Sequence, residues 1–499
     1  MAKIVEIAEQ NSWWKHDSEF ERYDKYLNNT KPIFFKRKEF KTLKDNIYIF
    51  RGCRRVGKTT YLRDKVRKLL HKEVPAKSIL YLSVDFFTSR REFRNALNYF
   101  LDSTREARKI YLLLDEITSL GDWERELKYL ADQGITNRAI VIATGSSAIK
   151  LKEKGELLPG RKIEGNRYFM KPLCFREFVL QIIDFFVALD SSSQEYRDSL
   201  YNLKKILVNS LIDFDSKITD IKNTVNSIIQ FKDELKSLMG IYLITGGFPN
   251  VINHYLRSLY EKKKGFINPN LAEEFVASTI GDLARIGKQE IVIRSILEGL
   301  VKKYGSRYSF SNLSSEIQRN HKTTIEYLNT LEDSFVTHIL YSYDLDKKNI
   351  KLKGEKKVYF LDPFIYYSVL SYLKGTDIWD VIDEAIHNEE SVSALIEGIV
   401  TSHLLMSKEK PIMRSGKTFL WSYYNRSGRE IDALLQIKKG LLGVEVKYQS
   451  EVDTRDILRV KQVKNYIILS KDDVYSRGNT IIVPVDIFLS LIPVSEKNI

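Results

Sequence analysis

The stretch Gly52-Cys53-Arg54-Arg55-Val56-Gly57-Lys58-Thr59-Thr60 constrains the fold more than any other part of the chain. It fits G-x-x-x-x-G-K-[ST], a phosphate-binding loop, and its surroundings fit as well. Asn46-Ile47-Tyr48-Ile49-Phe50 reads as a short buried strand, and Tyr61 to His71 reads as a helix with Leu62, Val66, Leu69 and Leu70 on one stripe. Glycines at 52 and 57 permit backbone conformations that a Cβ resists, so loop amides and the helix N-terminus can face an anion. The expected nucleotide contacts are Gly52, Arg55, Val56, Gly57, Lys58, Thr59 and Thr60, with Lys58 on the β- and γ-phosphates and the Thr59 hydroxyl on Mg²⁺.

A second requirement is an acidic strand end. Arg108-Lys109-Ile110-Tyr111-Leu112-Leu113-Leu114-Asp115-Glu116 supplies it, after one intervening strand, Ile79 to Asp85. Asp115 is expected to hold Mg²⁺ and Glu116 to orient and activate the attacking water. A further strand, Arg138 to Ala143, ends in Thr144-Gly145-Ser146-Ser147. Thr144 or Ser146 is placed to sense the γ-phosphate, or else to cap the next helix. Arg161, in Leu157-Leu158-Pro159-Gly160-Arg161, reads as an arginine finger for a neighbouring copy or as a surface charge.

With these residues in view, the chain resembles the AAA-like ATPases of archaea and bacteria that carry a C-terminal domain of unknown function with a nuclease-like core. Pro172-Leu173-Cys174-Phe175-Arg176-Glu177-Phe178, Gly246-Gly247-Phe248-Pro249 and the Trp13-Trp14 leader carry the resemblance further. It spans most of the chain and implies ATP binding and hydrolysis. Cys53 and Arg55 depart from the family's usual Gly-Pro-Arg-Gln-Val-Gly-Lys-Thr, at positions where phosphate contact is made by backbone.

Length then divides the chain. At 499 residues it calls for roughly three domains. The reading is an α/β multidomain protein: a leader over 1–45, a P-loop AAA-like core over 46–178, a helical lid or insertion over 179–289, a winged helix over 290–345, a linker region over 346–389 and a PD-(D/E)XK nuclease-like α/β domain over 390–499. In the leader, the paired tryptophans read as packing or partner contact, with base stacking as the lesser alternative, and Lys36-Arg37-Lys38 as a solvated edge. In the winged helix, Lys322 to Leu331 is the second helix, with Ile325, Leu328 and Leu331 inward. Lys322, Thr323, Thr324 and Tyr327 then face out as DNA-reading residues.

The C-terminal stretch reads as helix, three strands, helix (Thr454 to Val463), strand, the order of a PD-(D/E)XK core. Asp432 and Glu445 fall on paired strands, and Glu445 and Lys447, two apart, share a strand face. Two hard carboxylates can hold Mg²⁺ or Mn²⁺, and Lys447 can stabilise developing charge. Glu397 and Gln449 are secondary members.

The net charge of +14 points to a polyanionic partner, DNA before membrane, or to a lysine-rich surface that binds nothing. No run of ~18 apolar residues is present, so no membrane insertion is expected. Two cysteines imply no disulfide framework and a reducing cytoplasm. Three readings remain open: an ATPase coupled to a metal-dependent nuclease, a nucleotide-switched DNA- or protein-binding regulator with an inactive nuclease-like domain, and a protein remodeller. A homo-oligomer, dimer or ring, is required if Arg161 acts in trans.

Overall fold

The computed structural model describes residues 7–15, 20–24, 27, 35, 37, 45–145, 166–188, 193–262, 264–408, 418–453, 455 and 457–496. The chain forms two compact units, the first essentially residues 1–171 and the second 172–496 apart from a short stretch near 333–335.

In the first unit, five strands form a parallel sheet: β1 (Asn46–Gly52), β2 (Ile79–Ser83), β3 (Ile110–Asp115), β4 (Ala139–Gly145) and β5 (Arg167–Met170), in the spatial order β2-β3-β4-β1-β5. The central strands are continuous apolar runs because helices cover both faces of such a sheet. Ile47, Ile49, Leu112, Leu114, Val141 and Ala143 meet Phe93, Leu97, Trp123 and Leu127 in one core. Full burial of each large apolar side chain there contributes about 1.5–3 kcal/mol. The helices α1 (Lys58–Leu70), α2 (Arg90–Ser103) and α3 (Trp123–Asp132) follow β1, β2 and β3. This parallel five-stranded sheet with its loop after β1 matches the P-loop core expected from the sequence. Because β4 lies between β1 and β3, the loops after β1 and β3 open on the same carboxyl edge of the sheet, where α/β folds hold ligands.

The leader belongs to this core. Asn11 straddles the exposed edge strand: its side chain donates to the Tyr81 carbonyl (2.9 Å) and accepts from the Tyr81 N–H (2.7 Å). The indoles of Trp13 and Trp14 both donate to the Ile79 carbonyl, and Trp14 stacks on Phe100. The tryptophans therefore pack, as one of the two sequence readings held, and they cover an edge that would otherwise invite pairing. Arg37 is a correction. It is buried, not solvated, and its guanidinium donates to the Val56 carbonyl through Nε (3.0 Å) and Nη2 (2.7 Å).

The second unit opens with α4 (Phe175–Ala188), α5 (Gln194–Asn209), α6 (Ile218–Asn226) and α7 (Lys232–Thr245), as the apolar period of that region predicts. The stretches Pro172 to Phe178 and Gly246 to Pro249 act as packing nodes. A Cβ on Gly247 would lie 2.0 Å from the Leu173 carbonyl oxygen, so only glycine permits the approach, and Leu173 N donates to Gly247 O at 2.7 Å. Phe175 N donates to His403 Nε2, an acceptor kept neutral because burial lowers its pKa to about 3. Arg176 donates to the carbonyl of Ser490 at 2.7 Å.

The middle of this unit holds α8 (Glu290–Lys302), α9 (Phe310–Glu316), α10 (His321–Asp333) and an antiparallel pair, β6 (Thr337–Tyr341) with β9 (Lys356–Phe360), enclosing the small pair β7 (Tyr343–Asp344) and β8 (Asn349–Ile350). The expected linker 346–389 is structured: it carries β8, β9, α11 (Pro363–Lys374) and α12 (Ile378–Ile386). The phase of α10 is also corrected. Thr324 and Tyr327, expected to face out, are buried, and with Leu328 and Leu331 they form the inward stripe. Apolar residues three and four apart fix that face, and Ile325 alone gave the wrong phase.

The last part packs α13 (Glu389–Met406) with a six-stranded sheet: β10 (Leu420–Tyr424), β11 (Glu430–Ile437), β12 (Gly440–Val446), β13 (Val463–Ser470), β14 (Tyr475–Arg477) and β15 (Thr480–Pro484), in the order β10-β11-β12-β13-β15-β14. β10, β11 and β12 are antiparallel, whereas β12, β13 and β15 run parallel. The helix expected over Thr454 to Val463 is not formed by the described residues there. Ile457 and Leu458 are instead apolar plugs of an irregular crossover, buried against Ile431, Leu434 and Tyr466.

Candidate nucleotide site and a filled carboxylate cluster

The loop after β1 turns through two left-handed residues, Arg55 (φ 61°) and Gly57 (φ 100°), and Gly57 caps α1. The first amides of α1 are thereby left facing the loop, an anion site by construction. Lys58 is buried; its ammonium donates to the Gly52 and Cys53 carbonyls, each at 3.1 Å, and stands 3.7 Å from Glu116 Oε1. The Thr59 hydroxyl donates to Asp115 Oδ2 at 2.6 Å. Asp115 also accepts from the Tyr81 hydroxyl (3.0 Å) and from Thr144, and the Glu116 N–H donates to the Thr144 hydroxyl at 3.1 Å. Thr144 therefore orients both acidic residues. Glu116 is itself in the left-handed region (φ 50°), and Arg54 lies 3.4 Å from its carboxylate. The structure brings Lys58, Thr59, Asp115 and Glu116 together. The hydroxyl and carboxylate of Thr59 and Asp115 are the oxygen donors a hard cation takes. Ser146 and Arg161 lie outside the described residues. Arg37 and Tyr81 are contributions the sequence reading lacked; no local pattern marks either one.

The C-terminal candidates also converge, with a difference. Ala433 pairs with Val444, so Asp432 falls next to Glu445 across the hairpin. Alternation puts Glu430 and Asp432 on one face of β11. The Val446 N–H donates to Asp432 Oδ2 (2.9 Å), the Asp432 N–H to Glu445 (3.3 Å), and Lys447 pairs with Glu445 at 3.1 Å. Glu397 reaches the same place from α13. In the middle sits a cation absent from the sequence reading, Lys357 of β9. Its ammonium lies 2.5 Å from Glu397, 3.0 Å from Glu430 and 3.0 Å from Asp432, and its side chain is 1% exposed. Tyr359, two residues on, donates its hydroxyl to Glu397. Arg307 pairs with Glu430 at 2.8 Å.

Burial drives the protonation pattern. It pushes Glu397 and Glu445 up to about 8, with the Asp432 charge adding to the effect. It also opposes ionisation of Asp432, but Lys357 and the Val446 N–H outweigh it and hold that carboxyl below the ordinary range. Among the described residues, no group of three or more His, Cys, Asp or Glu is arranged to hold a metal ion. Asp432 and Glu445 thus meet on one face, with Lys357 against Asp432 and Lys447 against Glu445.

One more charged feature belongs to the last sheet. A cleft of about 940 Å³ is lined by Arg429, Arg455, Arg459, Lys464 and Arg477, with Tyr475 half exposed at its rim. The described lining residues include no carboxylate. On α10, Lys322 is exposed and Thr323 half-buried. No described helix is long and apolar enough to cross a membrane.

Comparison with known proteins finds matches over three stretches of the chain. Residues 44–179 match the AAA domain family, 238–375 a domain of unknown function (DUF8612) and 392–488 another domain of unknown function (DUF4143). The chain is 25% identical over 483 residues to the uncharacterized protein MJ1637 of Methanocaldococcus jannaschii, covering 95% of this chain and 88% of that one. Among solved structures it is similar to Cdc6p from Pyrobaculum aerophilum (14% identity, 74% of this chain and 94% of that one, TM-score 0.25). It is also similar to the Aeropyrum pernix ORC1 protein in complex with DNA (11% identity, 66% and 86%, TM-score 0.28). At such TM-scores the architecture rests on the chain's own sheets and on the AAA domain match.

Proposed function

We propose that the chain is a Mg²⁺-dependent ATPase, converting ATP and water to ADP and phosphate, whose nucleotide state governs a DNA contact made by the second unit. The carrying observation is the convergence of Lys58, Thr59, Asp115 and Glu116 at one edge of the first sheet. Thr59 and Asp115 would hold Mg²⁺, which neutralises phosphate charge when bound. Lys58 leaves its two loop carbonyls for the β- and γ-phosphates, and its departure loosens the ion pair that restrains Glu116. Glu116 is then available to orient water. Ser146 is assigned to the γ-phosphate. Arg161 is assigned as a finger acting in trans, which calls for a dimer or ring. A cytoplasmic location belongs to the same reading, since the two cysteines call for no disulfide.

The arginine-lined cleft and the +14 charge support DNA as the polyanion, with Lys322 and Thr323 of the winged-helix segment as additional contacts. Phosphate contacts of this kind are salt-dependent. ATP turnover measured with and without duplex, single-stranded and branched DNA tests the coupling. Stimulation that is lost in R459E/R477E agrees with it; turnover indifferent to every DNA at low salt contradicts it. Arg161→Ala should lower turnover while leaving ATP binding intact, and an equal loss of binding would argue against the finger.

A second reading is favoured by one observation, the convergence of Asp432, Glu445 and Lys447. On it the second unit is a Mg²⁺- or Mn²⁺-dependent deoxyribonuclease. Cleavage abolished by Asp432→Ala would establish it.

A further inference from the structure

We infer that the carboxylate cluster of the last sheet is a cation site already filled from within the chain, by the ammonium of Lys357, so that no divalent metal enters it while β9 stays in place.

Three observations carry this. First, the ammonium occupies the space between three of the cluster's carboxylates. It lies 2.5–3.0 Å from oxygens of Glu397, Glu430 and Asp432. A Mg²⁺ ion needs oxygens at about 2.0–2.1 Å, and the oxygens of Glu397 and Asp432 that face this space already hold the Lys357 ammonium. Second, the insertion is a property of the strand, not of one wandering side chain. Lys357 is paired with Leu340 across the β6–β9 ladder. Tyr359, on the same strand face, also binds Glu397. Residues two apart on a strand enter together. Third, the carboxylates of the site all have partners in the chain. Glu430 has Arg307 besides Lys357, Asp432 has the Val446 N–H, and Glu445 has Lys447 and the Asp432 N–H. A lysine from outside the nuclease-like domain thus closes that domain's only candidate chemistry among the described residues. The inference does not depend on the ATPase reading, and its test uses neither turnover nor cleavage.

The test is Mn²⁺ binding by the nucleotide-free full chain, followed by loss of the free-ion EPR signal. Wild type should show no binding that D432N removes. K357A deletes both the charge and the volume, and should bind one further Mn²⁺ that K357A/D432N loses. Lys357→Met, which keeps the volume without the charge, should not gain this site. Should K357A fold poorly, its thermal midpoint is the second readout: Mn²⁺ should raise it by several degrees and leave the wild-type midpoint unmoved, because a ligand stabilises only the state that binds it. Wild-type Mn²⁺ binding abolished by D432N would overturn the inference. So would a K357A protein whose EPR signal and thermal midpoint both ignore Mn²⁺.

Discussion

Two sites in this chain are built from the same parts. Each has carboxylates at a strand end, a lysine and a nearby hydroxyl, and they differ in where the lysine goes. In the first unit, Lys58 turns to two loop carbonyls and leaves Asp115 to two threonine hydroxyls and a tyrosine hydroxyl. In the second, Lys357 sits among three carboxylates. Hydroxyl partners can share a carboxylate with a metal, whereas an ammonium at hydrogen-bond distance replaces it. The same residue types therefore make one site receptive and the other self-satisfied.

The sharpest way to break this comparison is to remove the second lysine. K357M should cost the second unit about 3–5 kcal/mol, read by thermal or denaturant unfolding, because it leaves buried carboxylates without their cation. K447M, at a side chain 36% exposed, should cost at most ~1 kcal/mol. Equal costs would mean that Lys357 is not the keystone. In the first unit, Glu116→Gln should slow ATP turnover about 10²–10³-fold while ATP still binds, the scale of losing one aligned catalytic group. Turnover within a few-fold of wild type would remove Glu116 from the chemistry.

Arg37→Ala is smaller. Losing the charged donor to the Val56 carbonyl should destabilise the loop by about 1.5–3 kcal/mol, measured as weakened ATP binding and a lower thermal midpoint of the first unit. An unchanged protein would return Arg37 to the surface role its neighbours suggested.

A pH slope tests the second site independently of any lysine. Glu397 and Glu445 are held up to about 8 in the fold against an ordinary 4.5. The folded state thus binds more protons than the unfolded one between those values. Their contribution is present below about 4.5 and is lost as pH rises toward about 8. Comparing wild type with E397Q/E445Q across that window isolates the term. The double variant should have the flatter profile; parallel profiles would show the two carboxyls to be ionised in the fold.

What the sequence made legible divides along the same line. The nucleotide site was readable because its chemistry is local: Gly52 to Thr60 is one unbroken stretch, and Asp115-Glu116 closes an apolar strand. The carboxylates of the second site were readable by alternation, since Asp432 and Glu445 lie on neighbouring strands of a hairpin. Lys357 was not, because it reaches Asp432 across 75 residues and no spacing rule links the two. Arg37 hid inside a basic triplet whose neighbours gave no sign of burial. Tyr327 and Thr324 were misplaced because short amphipathic helices leave the phase ambiguous when polar residues line the core. The helix expected over Thr454 to Val463 had no apolar stripe to support it, and in the fold Ile457, Leu458 and Val463 pack into the core of the last sheet.

The most direct test runs both sites in one tube: ATP turnover with Mg²⁺ by the wild-type chain and by Lys58→Ala, with the added DNA scored for cuts under Mg²⁺ and Mn²⁺. The account predicts turnover that Lys58→Ala abolishes and intact DNA throughout. Cuts made by the wild-type protein and lost in Asp432→Ala would show that Lys357 does not close the second site and would contradict it.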